Sequence, residues 1–143
     1  MKKLLHTILI FIFIPSLFIN VFAQEYKINC DSAMTQMEMN FCAKQGYEKV
    51  QIKLDSILIK IKIVIEEMQK DYQDENQLTG KDLLSLFIDS QKEWEEYRRT
   101  AAGFNRAVYQ GGSIQPLIYY SVMQRLTGER IKEIEDLMNE LTL

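Results

Sequence analysis

Histidine is almost absent from this chain: His6 is the one example, and it stands inside the first apolar stretch. Past that stretch, Ser-His-Asp and Cys-His nucleophile systems are therefore excluded, as are zinc sites that use histidine. Cysteine is scarce too, and Cys30 and Cys42 alone cannot close a structural zinc site. Neither G-x-x-x-x-G-K-S/T nor G-x-G-x-x-G occurs, so nucleotide binding has no signature. Low-complexity runs and internal repeats of 20–50 residues are also missing. Nothing in the pattern calls for a cofactor or a metal.

What is present begins with an address. Lys2 and Lys3 precede the apolar run Leu4 to Phe18, and Val21-Phe22-Ala23 suits signal peptidase, so cleavage is expected after Ala23. A retained membrane anchor is the competing reading, against which Pro15, Asn20 and the Val-x-Ala ending argue. Lys27-Ile28-Asn29-Cys30 lacks the small, apolar approach of a lipoprotein signal. Residues 24–143 then form one exported domain with a single core, periplasmic or secreted, with no membrane contact once the leader is gone. Losing Lys2 and Lys3 takes the formal charge from −3 to −5. That balance argues against nucleic acid and anionic membrane, and favours a basic partner if it favours any. Solubility alone accounts for it more readily than a partner does.

An even cysteine count in an exported chain reads as a disulfide, here Cys30 with Cys42. So short a closed loop is worth about 2–3 kcal/mol. Gln24 to Ala33 reads as an extended lead-in tied down at Cys30. Thr35-Gln36-Met37-Glu38 fits a capping box. Ala43, Tyr47, Val50, Leu54, Ile57, Ile61, Val64 and Met68 then step by fours and threes, which predicts a helix from about Gln36 to Lys70, ~50 Å long. Ile59, Ile63 and Ile65 are expected to widen its apolar stripe. Gly46 inside it permits a close helix approach or a mild kink.

Asp71 to Gly80 is polar and breaks the period. Thr79 offers a cap for a second helix, with Asp82 in its first turn. The stripe resumes at Leu83, Phe87, Ser90, Trp94, Tyr97, Ala101 and Phe104, with Ser90 free to bond the backbone one turn earlier. On that reading Trp94 and Tyr97 point inward and Arg98 flanks them, tying helices together through a carboxylate or helix-end carbonyls. Gly103 to Gly112 reads as an irregular loop. After it Ser113 caps a last helix that carries Pro116 in its first turn. That helix holds Ile118, Val122, Met123, Leu126, Thr127, Ile131, Ile134, Leu137, Met138 and Leu141, with Gly128 as a place where it could break. The fold class is all-α: an elongated antiparallel bundle of three helices, with four left open, and an N-terminal disulfide.

For chemistry, Glu93, Glu95 and Glu96 cluster near Trp94, and three acids on a helix are far more often a solvated face than a catalytic pair. The chain is thus read as a binding protein rather than an enzyme, with a carboxylate-dependent cell-wall hydrolase as the lesser alternative. Candidate partner-binding residues are Arg106, Tyr109, Gly111 and Gly112, since aromatics and arginine in a glycine-flanked loop suit an interface centre. Phe104 in this stretch is read as the end of the core stripe at least as readily as a contact. Pairing of two copies through wide helical stripes stays open.

Several stretches together resemble the lysozyme-inhibitor LprI N-terminal domain family of small exported helical proteins. The resemblance starts at Cys30 and continues through Thr35-Gln36-Met37-Glu38-Met39-Asn40-Phe41-Cys42-Ala43, Tyr47 and Leu54. Gln91, Trp94, Tyr97 and Arg98 match the family's Gln-x-x-Trp-x-x-Tyr/Phe-Arg. Gly111-Gly112-Ser113 and Leu126-Thr127-x-Glu129-Arg130 follow in order. Two departures stand out. Gln51 and Asp55 flank Leu54 where the family has an Asp-x-x-Leu-Asn pattern, and its second cysteine pair, near Ala102 and Val122, is missing here as a pair. The resemblance implies inhibition of lysozyme by direct protein–protein binding. An envelope interaction module, or an immunity protein against a wall-degrading toxin, is the alternative. Lysozymes are typically basic with an acidic cleft, so the charge of −5 would help encounter.

Overall fold

The computed structural model describes residues 28–74 and 82–142. The expected leader, its cleavage site and the Thr79 cap lie outside those residues. A single 3-10 turn, Cys30–Ser32, opens the described chain, and three long helices follow: α1 (Gln36–Asp74), α2 (Leu83–Ala107) and α3 (Gln115–Leu141). No strand occurs among the described residues. At 1.5 Å per residue, α1 is ~58 Å long, which makes the bundle elongated.

Local chemistry sets most of the helix ends. Glu38 Oε2 accepts from the Met34 and Thr35 amides at 3.1 and 3.0 Å, while Thr35 Oγ1 accepts from the Glu38 amide at 3.2 Å. That is the reciprocal capping box expected at α1. At α2 the cap is Asp82 itself, whose carboxylate accepts from the Ser85 amide at 2.6 Å and its hydroxyl at 2.9 Å. Asp82 is therefore the cap and not a first-turn residue. The Cys30–Cys42 disulfide is formed and holds the lead-in against the start of α1.

The helices run up, down and up. Asn40 near the start of α1 meets Ser113 and Leu117 at the start of α3, and Val64, Met68 and Tyr72 share a hollow with Leu141, so α1 and α3 are parallel. Helix α2 runs back antiparallel to both, packed mainly on α3, with its Leu84 amide donating to Gln69 near the end of α1. Leu54, Ile57, Ile61 and Ile65 of α1, Phe87 of α2, and Ile131 and Ile134 of α3 form the core cluster. Each comes from a four-three stripe, because only residues three and four apart share a helix face.

Expectations for three stretches need correction. Ile59 and Ile63 do not widen the buried stripe of α1: both are exposed, and of the three only Ile65 is inside. They sit on the side of the helix away from the core, where no partner helix lies. The question left open at Gly128 is answered by a continuous α3. The stretch 103–112 is not one loop, since α2 continues through Ala107 and carries Phe104 and Arg106 on its last turns. Tyr97, expected inward, is 60% exposed, and Ser90 is exposed as well. Gly46 marks a close approach: a Cβ there would lie 2.5 Å from Gln124 Oε1 of α3.

Candidate functional site

Two regions compete for the role of site, the motif at the middle of α2 and the α2–α3 turn at one end of the bundle. In the first, Arg98 is only 7% exposed. Its Nη1 donates to Gln51 Oε1 of α1 at 2.6 Å and to Thr127 Oγ1 of α3 at 2.8 Å. The guanidinium lies over the Trp94 ring at 4.7 Å and the Tyr47 ring at 5.7 Å. Gln51 passes the contact outward, donating to Asp55 Oδ1 at 2.7 Å. On the other face of the group, Arg130 stands over the Trp94 ring at 5.7 Å and donates to Gln91 Oε1 at 3.1 Å. Arg98 does tie the helices together, but through a neutral amide, a hydroxyl and two rings, where a carboxylate or helix-end carbonyls were expected.

This cluster buries Gln91, Arg98 and Thr127, leaves its other members partly exposed, and joins all three helices. Burial raises the Tyr47 pKa, with Arg98 opposing that shift. Gln91, Trp94 and Arg98 act as an internal clamp, and Tyr97, which shares their motif, points elsewhere. The nearby acids lie on the solvent side of α2. Glu96 is fully exposed and pairs with Arg99 at 2.6 Å, and hydrogen bonding to that arginine lowers its pKa. A general acid for glycoside cleavage needs the opposite shift. Glu95 accepts from Gln91, and Glu93 is exposed.

The second region is open. Phe104, Arg106, Val108, Tyr109, Gly111 and Gly112 are all exposed, so the four candidate contact residues lie together at one end of the bundle. A shallow hollow of about 370 Å³ sits beside Arg106, lined also by Gly103, Ala107, Gln110 and Gln115. The chain reverses through consecutive turns, with Tyr109 donating to Arg106 O, Gln110 to Ala107 O and Gly112 to Tyr109 O. Gly111 has φ +80°, a conformation that favours glycine. Side chains brace the turn. Arg106 Nε donates to Gln115 Oε1 at 3.1 Å, and Gln115 Nε2 donates to Tyr109 O at 3.1 Å.

The brace missed by sequence reasoning is Asn40. Ser113 does not cap α3; the N-cap position is Ile114, which has no side-chain bond of its own. Asn40 reaches across from α1, with Nδ2 donating to Ser113 O at 2.9 Å and Oδ1 accepting from the Leu117 amide at 3.2 Å. Gln36 Nε2 fixes the same oxygen at 2.8 Å. One side chain thus caps a helix more than 70 residues away and fastens the turn at the end where a second disulfide is lacking. Capping rules search only neighbours in sequence, so the one available signal was the place of Asn40 within the quoted family pattern. Asn40→Ala is expected to cost about 1–2 kcal/mol, as loss of a cap does. Hydrogen exchange should show the Leu117 amide losing protection before the core of α3; unchanged exchange there would contradict the cap.

The model of the family described as lysozyme inhibitor LprI matches residues 29–134. Uncharacterized protein R02472 of Rhizobium meliloti (strain 1021) is 28% identical over 119 residues, which covers 81% of this chain and 83% of that protein. No solved structure matches. The matched span runs from the residue before Cys30, through the Gln91-Trp94-Arg98 clamp and the braced turn, to the last buried isoleucine of the core, and on that breadth the chain belongs to the lysozyme inhibitor LprI family.

Proposed function

We propose that residues 24–143 form a single exported domain that inhibits lysozyme by direct contact, with the α2–α3 turn end as the contact surface. The family supplies the partner class. The observation that carries the choice of surface is a turn that is both exposed and braced, holding Arg106 and Tyr109 at its rim. A preordered contact loses less entropy on binding than a mobile one.

Charge favours the same end. Between Tyr97 and Gly128 the chain has no carboxylate, and of its arginines there Arg98 is buried while Arg99 and Arg125 pair with Glu96 and Glu129, which leaves Arg106 as the positive charge at the tip. Glu38 of α1 is occupied with its own helix cap, and Glu48 pairs with Lys44. A glycoside hydrolase of this kind works with two carboxylates flanking the scissile bond. Arg106, with its planar fork of donors, suits such a pair.

A cell-wall turbidity assay tests the reading. The secreted protein is expected to protect wall suspensions from at least one of several lysozymes, and failure against all of them would sink the proposal. Clearing by the protein alone would instead indicate a hydrolase. Arg106→Ala with Tyr109→Ala is expected to weaken binding at least tenfold, about 1.4 kcal/mol. Unchanged affinity with an intact fold would move the contact surface elsewhere.

A further inference from the structure

The apolar spacing of α2 divides between two faces. Phe87, Gln91, Arg98 and Ala102 turn inward, whereas Tyr97, Phe104 and Val108, separated by seven and four residues, share a face that meets solvent. Their exposures are 60%, 70% and 67%. Single exposed apolar residues are ordinary, but a row of them along one face marks a contact surface. The row covers ~16 Å of helix at 1.5 Å per residue and ends at the braced turn.

We infer that this face of α2 is a second contact area for the same partner, an apolar strip that lies along the wall of its substrate cleft. The inference rests on the lysozyme-binding reading above. Ligand clefts are lined mainly by apolar and aromatic groups with a few placed polar ones. A strip of two flat rings and a valine, leading to an arginine-bearing tip, complements both parts of such a cleft. No carboxylate of α2 follows Glu96, and that one is held by Arg99, so nothing on this half of the helix repels an acidic rim.

The strip by itself is too small to hold two copies together. Taking ~200 Å² for each aromatic side chain, the face offers roughly 350 Å² of exposed apolar surface. A standard interface needs about 800 Å² from each partner. The strip falls short of a stable pairing and has to act together with the turn end it leads to.

The test compares two variants of the secreted protein for binding to a panel of immobilised lysozymes. Tyr97→Gln with Phe104→Gln changes only exposed positions and keeps good helix formers, so the fold should persist by circular dichroism. It is expected to bind at least tenfold more weakly, with little change in salt dependence. Arg106→Ala is expected to reduce the salt dependence, because it removes a charge from the encounter. Unchanged affinity of the Tyr97/Phe104 variant overturns the inference while leaving the turn-end reading in place. Wild-type protein that binds none of the panel overturns both. A wild-type dimer that Phe104→Asp dissociates in sedimentation assigns the face to self-contact, and overturns the inference as well.

Discussion

Leu54→Ala should destabilise the protein by about 3–4 kcal/mol, within the range for a buried leucine truncated to alanine. Leu54 is 0% exposed at the centre of α1 and belongs to the cluster with Ile61, Phe87, Ile131 and Ile134. The loss combines the transfer free energy of the deleted carbons with a cavity that three packed helices cannot fill. Domains of this size unfold with about 5–15 kcal/mol, so one such change removes a large share of the margin. Ile59→Ala is the matched control, being the same kind of residue on the same helix but 64% exposed. It should shift stability by no more than about 0.5 kcal/mol. Urea denaturation of both variants reads the contrast directly. Comparable losses would mean that the exposed side of α1 is covered in solution.

Arg98→Ala should cost about 3 kcal/mol, from two charge-assisted hydrogen bonds and a buried stem that fills space. The partners left behind limit the loss. Thr127 Oγ1 still donates to Met123 O at 2.7 Å, and Gln51 Oε1 still accepts from the Tyr47 hydroxyl at 3.2 Å. Neither is stranded. Burial of Arg98 has its own cost, since its Nε lies inside without a hydrogen-bond partner. Arg98→Met restores most of the volume without a charge, so it should lose less than half as much as alanine. If methionine and alanine prove equally damaging, the bonds dominate and the packing argument fails. If both sit within about 0.5 kcal/mol of wild type, the clamp is not what joins the helices.

How far the fold was legible follows from where apolar and polar residues coincide with inside and outside. On α3, and along the four-three stripe of α1, they largely coincide, so the stripes Ala43 to Met68 and Ile118 to Leu141 gave the helices and their inner faces, while Ile52, Ile59 and Ile63 off that stripe are exposed. On α2 they part company after Phe87. The inward positions there are Gln91 and Arg98, polar groups that can be buried because partners on the other two helices receive them. A reading by hydropathy slides to the neighbouring aromatics and puts Tyr97 and Phe104 inside. The family pattern held the correction in part, for it names Gln91, Trp94 and Arg98 together. It could not mark Tyr97 as the member that faces out.

The tip was misread for a different reason. Gly103 looked like the start of a loop, yet it lies within α2, where a Cβ would meet nothing within 4 Å. A helix tolerates one glycine at a modest cost when neighbouring turns are sound. Asn40 escaped notice because its partners are distant in sequence. The candidate residues Arg106, Tyr109, Gly111 and Gly112 do lie near one another, since a chain reversal brings close neighbours together whatever its details.

The disulfide also settles the geometry of any tether. Cys30 is bonded to Cys42 near the start of α1, and Asn40 touches the α2–α3 turn, so the chain enters the bundle beside the exposed tip. Leu141, by contrast, lies with Val64 and Tyr72 at the far end, ~40 Å away along α1. A protein held by its N-terminal side would crowd the tip against whatever holds it. One held by its C-terminal side would present the tip freely, and sensors or pull-down resins should be coupled there.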